Sequence, residues 1–223
     1  SISYYSALGY LPEALMNFLG LFFIQIAEGE ELLTMEQLAE KFDPENLSKA
    51  GAIFDIQKLD WLNGRWIREK MSEEEFQSRV LTWAMENDRL KAGIALSQSR
   101  ISKLGELPEL MGFLLKSDLN LDPSAFAKIK SPPEEILEIL NTVQPDLEKI
   151  LEWNVESIEA ELRAIGDRMG KKLKVIVAPL CVAVSGSSRS LPLFDSMAIL
   201  GRSVVRRRLK LAAQAVAALV GPK

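Results

Sequence analysis

The densest set of chemically capable side chains lies near the C-terminus. Between Gly170 and Lys223 stand ten cations (Lys171, Lys172, Lys174, Arg189, Arg202, Arg206, Arg207, Arg208, Lys210, Lys223) and one acid, Asp195. That is a net of +9 in a chain whose total is −4, so residues 1–169 carry −13. Clustered guanidinium and ammonium groups are the chemistry of phosphate and RNA contact. A basic helix neutralised by an acidic body of the same fold gives the same count, and charge alone does not separate the two.

Other chemistries are excluded by what is missing. The 223 residues include no histidine, so Ser-His-Asp and Cys-His nucleophile systems cannot be built here. One cysteine, Cys181, makes neither an intrachain disulfide nor a His/Cys zinc site. It reads as a small buried hydrophobe, and the reducing cytoplasm is its natural home. Carboxylate pairs such as Glu134/Glu135 and Glu159/Glu161 fall on surface helices of an acidic protein and make poor acid–base dyads. The run Gly166 to Lys172 is one residue short of a phosphate loop and lacks the following Ser/Thr. No catalytic, cofactor or metal site is therefore expected. The apolar run Ala14 to Ala27 is too short to span a bilayer of about 30 Å, and no membrane role is expected. The chain opens on Ser1, not Met, and reads as a piece of something longer.

Helices must position these groups. Pro12 starts a first one, with Ala14, Leu15, Phe18 and Leu19 at helical spacing. Thr34 with Gln37, and Ser72 with Glu75, read as capping boxes. Phe54 to Glu69 is helical, with Asn63-Gly64 a point where it could break. The helix after Ser72 places Phe76, Val80 and Trp83 on one apolar stripe. Lys91 to Leu104 continues the pattern, and Pro108 starts the next helix. Asp122-Pro123 and Ser131-Pro132 each pair an N-cap with a proline. Asn154 caps Val155 to Met169, and Gly170 stops it.

Leu173 to Val184 is rich in β-branched residues, and periodicity leaves strand and helix both open. Ser185 to Ser190 is a loop. In the last helix Val205, Leu209, Ala212, Val216 and Leu219 form one stripe, with Arg206, Arg207, Arg208 and Lys210 off it. The four tryptophans, Trp61, Trp66, Trp83 and Trp153, read as core, with at most one or two free to stack on bases. The fold class is all-α, with boundaries near Ser72 and between Lys116 and Pro123.

Three stretches carry a resemblance. Gly9-Tyr-Leu-Pro-Glu-Ala-Leu-Met-Asn-Phe-Leu19 resembles the segment after the second signature motif of bacterial glutamyl-tRNA synthetases. Phe54-Asp-Ile-Gln-Lys-Leu-Asp-Trp-Leu-Asn-Gly64, continued by Trp66-Ile67-Arg68, is similar to that family's FD-x-x-KL-x-WLNG signature. Pro192-Leu193-Phe194-Asp195 with Leu200-Gly201 resembles its PPLFE…LLG tail. They occur in the family's order and span nearly the whole chain.

The resemblance implies the C-terminal part of a class I synthetase. ATP and magnesium belong to the parent's catalytic domain, whose HIGH-type motif needs histidine and whose KMSKS-type loop would precede Ser1. This part should not activate glutamate alone. It implies a stem-contact region over 1–71 and two helical anticodon-binding modules over 72–115 and 116–223. The implied partners are glutamate tRNA and the catalytic domain of the same polypeptide, with the protein a monomer.

By the same resemblance Arg100 matches an arginine used at the third anticodon base. An unpaired cytosine there offers O2 and N3 to a guanidinium. Ser190, Leu191, Pro192 and Leu193 match a loop-to-helix turn at the other anticodon bases. Cys181 stands where many members have arginine, a contact Arg189 could supply, and Leu191 replaces a common proline. Lys58, Arg65 and Arg68, with Arg206 and Arg207, are the candidates for tRNA stem and backbone contact. The plainer reading of each is a solvated or salt-bridged helix cation. Two rival functions are a helical protein-binding adaptor and a non-specific RNA-binding module driven by the basic segment.

Overall fold

The computed structural model describes residues 2–27, 29–42 and 54–220. Ser1, Glu28, residues 43–53 and residues 221–223, Lys223 of the basic segment among them, lie outside the described residues. The fold is all-α, with no strand among the described residues. It divides into two compact units, Ser1–Asn87 and Asp88–Lys223.

The first unit holds α1 (Ile2–Ala7), α2 (Pro12–Gly20), α3 (Met35–Lys41), α4 (Ile56–Lys70) and α5 (Glu73–Glu86). The capping box at α3 forms in full, with Thr34 Oγ1 accepting from Gln37 N–H and Gln37 Oε1 accepting from Thr34 N–H. Asp55 caps α4, which runs unbroken through Asn63-Gly64. Leu59 and Leu62 before the glycine and Trp66 after it are buried on one face. Their burial outweighs the cost of about 1 kcal/mol for a mid-helix glycine. With Ala14 and Phe18 of α2 they form the core of the unit.

Asn17 is the polar hub of that core. Fully buried, it donates to Glu31 O and accepts from Leu33 N–H and the Trp66 indole N–H, at 2.9, 3.0 and 2.9 Å. One amide thus fastens the segment before α3 onto α2 and α4.

Ser72 caps α5 through Glu75 N–H at 3.1 Å, one half of the expected capping box, without the return bond from the Glu75 side chain. The apolar stripe behaves differently. No residue of α5 is buried, and Phe76 and Val80 are each 42 % exposed. Polar ties hold the helix instead. Arg79 pairs with Glu13 at 2.6 Å, the Trp83 indole donates to Ser6 O, and Asn87 donates to Ala7 O. These bonds carry the compact unit to Asn87, well past the cap at Ser72.

The second unit holds α6 (Asp88–Ser97), α7 (Leu107–Met111), α8 (Pro133–Leu147), α9 (Val155–Met169), α10 (Leu173–Ser185), α11 (Leu193–Leu200) and α12 (Arg202–Val220). Short 3-10 turns occupy Leu104–Glu106, Gly112–Leu115 and Pro123–Lys128. Helix α6 stops at Ser97, so the stretch to Leu104 is a turn and not more helix. Asp122 caps its turn through Ser124 N–H, whereas α8 begins one residue later than expected, with Pro132 at the cap position. Asn154 caps α9 through Ser157 N–H at 2.9 Å, and Gly170 ends it at φ 64°. Only glycine fits easily there.

The β-branched segment is helix α10, hydrophobic nearly all round because α8, α9, α11 and α12 pack about it. Burial wins over β propensity, and Pro179 costs one hydrogen bond inside it.

The last helix corrects the reading of its own face. Arg208, expected on the polar side, is fully buried. Its guanidinium donates to Val184 O, Phe113 O and Lys116 O, at 2.5, 2.8 and 2.6 Å. A buried cation persists only when its donors are matched in this way. Leu219, expected on the apolar stripe, is half exposed.

Candidate nucleic-acid interface

The loop between α10 and α11 is shaped by its serines. Gly186 at φ 78° turns the chain out of α10. The Ser185 hydroxyl then accepts from Ser187 N–H at 3.3 Å, and the Ser187 hydroxyl accepts from Arg189 N–H at 3.1 Å. Such local side-chain bonds replace helical ones and hold a non-repetitive path. Leu191 anchors the far end, the whole residue 2 % exposed, and α11 starts directly after Pro192. The Ser196 hydroxyl donates to Pro192 O and tightens that first turn.

Arg100 lies in the turn after α6, where its N–H donates to Ser97 O. Its guanidinium donates to Ser190 O at 3.4 Å. Arg100 and Arg189 line one cavity of about 100 Å³ with Ile101, Glu106, Glu109 and Leu110. Both arginines are exposed, and neither has a carboxylate within ion-pair distance among the described residues. Two guanidinium forks beside two carboxylates can donate to the acceptors of a planar polar ligand and accept from its amino group.

The structure therefore brings Arg100, Arg189 and Ser190 together. Leu191 is turned into the core and buried as a whole residue, so it offers a ligand almost no surface. Pro192 and Leu193 are half-buried at the start of α11. Cys181 is partly buried, and burial pushes its thiol above the ordinary range.

On α4, Lys58, Trp61, Arg65 and Arg68 fall at spacings of three, four and three, on the face away from Leu59, Leu62 and Trp66. Arg65 makes two bonds to Glu69, at 2.7 and 2.8 Å, which raise the arginine and lower the carboxylate from their ordinary values. It also lies 5.1 Å from the centre of the Trp61 ring. Trp61 is 45 % exposed, contrary to the expectation that it is core. The 58/61/65/68 spacing was the signal that could have placed it outside. Lys58 and Arg68 are exposed.

The last helix contributes less than its charge promises. Arg206 pairs with Glu148 at 3.7 Å. Arg207 pairs with Asp118 at 2.6 Å and donates to Ser117 O. Arg202 donates to Glu148 O and Ile150 O. Much of the basic segment is engaged inside its own unit.

Two family profiles match the chain. One described as an anticodon binding domain covers residues 71–213. One described as the catalytic domain of class I tRNA synthetases (E and Q) covers residues 1–61. The chain is 90% identical, over all 223 residues, to a glutamate–tRNA ligase of Rhizobium leguminosarum bv. trifolii, spanning 46% of that protein. It is 80% identical over 221 residues, 99% of the chain, to that of Sinorhizobium medicae, again 46% of the relative. Identity is 37% over 216 residues, 97% of the chain, with the Cellvibrio japonicus ligase, of which 43% is covered. The chain thus spans a little under half the length of the curated relatives it matches.

A solved glutamate tRNA ligase from Elizabethkingia meningosepticum shares the fold at a TM-score of 0.51 and 22% identity, over 95% of this chain and 43% of that one. Taken with the helical architecture, the profile over most of its length places the chain in the glutamyl-tRNA synthetase family of class I, of which it carries the anticodon-binding domain.

Proposed function

We propose that this chain holds the anticodon arm of glutamate tRNA and reads its third base with Arg100. The observation that carries the reading is the meeting of Arg100 and Arg189 at one cavity within the matched anticodon-binding region, with Arg100 also bonded to the Ser190 carbonyl. An unpaired cytosine presents O2 and N3 as acceptors and its amino group as a donor. Arg100 supplies the donors, and Glu106 and Glu109 line the same cavity as acceptors for the amino group. The loop from Arg189 to Leu193 meets the other two bases. Residues 72–115 and 116–223 serve as the two reading modules.

The α4 face of Lys58 and Arg68, with Arg65 taking a smaller share because Glu69 already holds it, contacts backbone phosphates within a stem-contact region over residues 1–71, and sets salt dependence but not base choice. Arg206 and Arg207 take a smaller share, since each already has an anionic partner. The whole protein joins glutamate to its tRNA with ATP and magnesium. The chemistry belongs to a catalytic domain of the same polypeptide, and this histidine-free chain supplies the RNA contact.

The test is binding to glutamate tRNA and to the same tRNA with its third anticodon base changed from C to G, over several salt concentrations. The expected loss is about 1–3 kcal/mol for the changed tRNA, shrinking in Arg100→Gln. Equal binding to every RNA, governed by salt alone, would overturn the reading. The adaptor alternative draws on the exposed apolar side chains of α5, Leu81 at 65 % and Met85 at 78 % among them. It predicts no preference for tRNA at all.

A further inference from the structure

A second depression lies beside the cavity at Arg100. It is a groove of about 430 Å³ between the end of α6 and the 3-10 turn at Leu104–Glu106. That volume is within the range of small-molecule sites, roughly 300–1,000 Å³. Its apolar wall includes Ile94, Ile101 and Leu104, and its polar rim includes Gln98 and Lys103. Leu104 is 78 % exposed and Ile94 is 48 % exposed. Large aliphatic side chains held this open on a groove wall are suited to a flat apolar face.

Ile101 borders both depressions. Arg189 borders the cavity and not the groove, whereas Lys103 and Leu104 border the groove and not the cavity. The chain of a bound RNA entering from the Arg189 side therefore leaves across Ile101. Lys103 is exposed and has no ion pair among the described residues, so its ammonium is available to a phosphate.

We infer that the groove at Ile94, Ile101 and Leu104 binds the nucleotide immediately 3′ to the anticodon. The inference rests on the assignment of the third anticodon base to Arg100. The base lies on the aliphatic wall, the Gln98 amide meets its polar edge, and Lys103 contacts its phosphate. Gripping that nucleotide fixes where the strand leaves the site, and so holds the third base against Arg100. Recognition here is by stacking area and charge, and tolerates any base with a full ring face.

The experiment uses this chain, a synthetic anticodon stem-loop RNA, and the same RNA lacking the base at the position 3′ to the anticodon. Affinity should fall about tenfold for the abasic RNA. Leu104→Ser should lose a similar factor on the intact RNA and nothing further on the abasic one. Lys103→Ala should weaken both RNAs and lower the salt slope by about 1. Leu104 is so exposed that its replacement should leave the melting curve unchanged. Full affinity for the abasic RNA would overturn the inference, as would an equal loss for Leu104→Ser on both RNAs. If discrimination at the third base survives either result, the groove is wrong and the assignment of Arg100 stands. If that discrimination is absent as well, both fall.

Discussion

The last helix and the loop before α11 spend their arginines in opposite ways. Helix α12 carries Arg202, Arg206, Arg207 and Arg208, and the structure gives each an internal partner: a carbonyl, a carboxylate or both. The loop carries only Arg189, which stands exposed at a cavity with Arg100 and without a carboxylate partner among the described residues. Counting charge along the chain ranks the helix first. Counting arginines left over after folding ranks the loop first. A guanidinium has five donors, and one that has matched them to carbonyls has little left for phosphate.

The sharpest way to break that contrast is Arg208→Met. The substitution fills the volume but leaves Val184, Phe113 and Lys116 without their shared donor. The expected loss is about 3–5 kcal/mol of stability in the second unit, read by urea denaturation. A loss below about 1 kcal/mol would mean the carbonyls find other partners, and that Arg208 does not organise the unit.

A paired experiment sharpens the same contrast. Arg189→Ala should leave the melting curve in place and weaken tRNA binding several-fold, lowering the salt slope by about 1. Arg206→Ala, on the more basic element, should change tRNA binding less. If Arg206→Ala proves the more damaging to binding, total charge matters more than freedom, and the ranking drawn from the structure is wrong.

The smallest effect concerns the acids that hold cations in place. Hydrogen bonds from Lys149 and then Arg168 keep the Asp146 carboxyl below its ordinary value of 3.8. A lowered folded value means this contribution is complete above the unfolded value and is lost as pH falls through the folded one. Wild type should therefore lose stability below about pH 4 more steeply than Asp146→Asn, in acid titrations followed by circular dichroism. Parallel curves would show that the pair adds nothing, as exposed pairs often do.

Much of this architecture was legible from residue types. Thr34, Ser72, Asn154 and Gly170 marked helix ends because caps are local chemistry that tertiary packing seldom overrides. Arg100, Arg189 and Ser190 were singled out individually, but their meeting was not readable, since it depends on packing residues 90 apart in the chain. Arg208 was misplaced because a run of three arginines reads as a polar face. Its spacing, three after Val205 and four before Ala212, puts it on the apolar stripe all the same. The segment from Leu173 stayed undecided because a helix wrapped on all sides has no amphipathic period to detect. The stripe on α5 misled for the opposite reason, as its period is present and no described residue of its own unit buries it.

Trp153 gives the second unit a property of another kind. It is the sole tryptophan after residue 87, its indole donates to Met197 O in α11, and the Arg202 guanidinium lies 5.3 Å from its ring centre. Its fluorescence is therefore tied to one corner where α9 begins, α11 passes and α12 starts. With phenylalanine at positions 61, 66 and 83, a single emission band would follow the helix on which the Arg189 loop ends. Unfolding of that unit could then be watched in light, with the other unit silent.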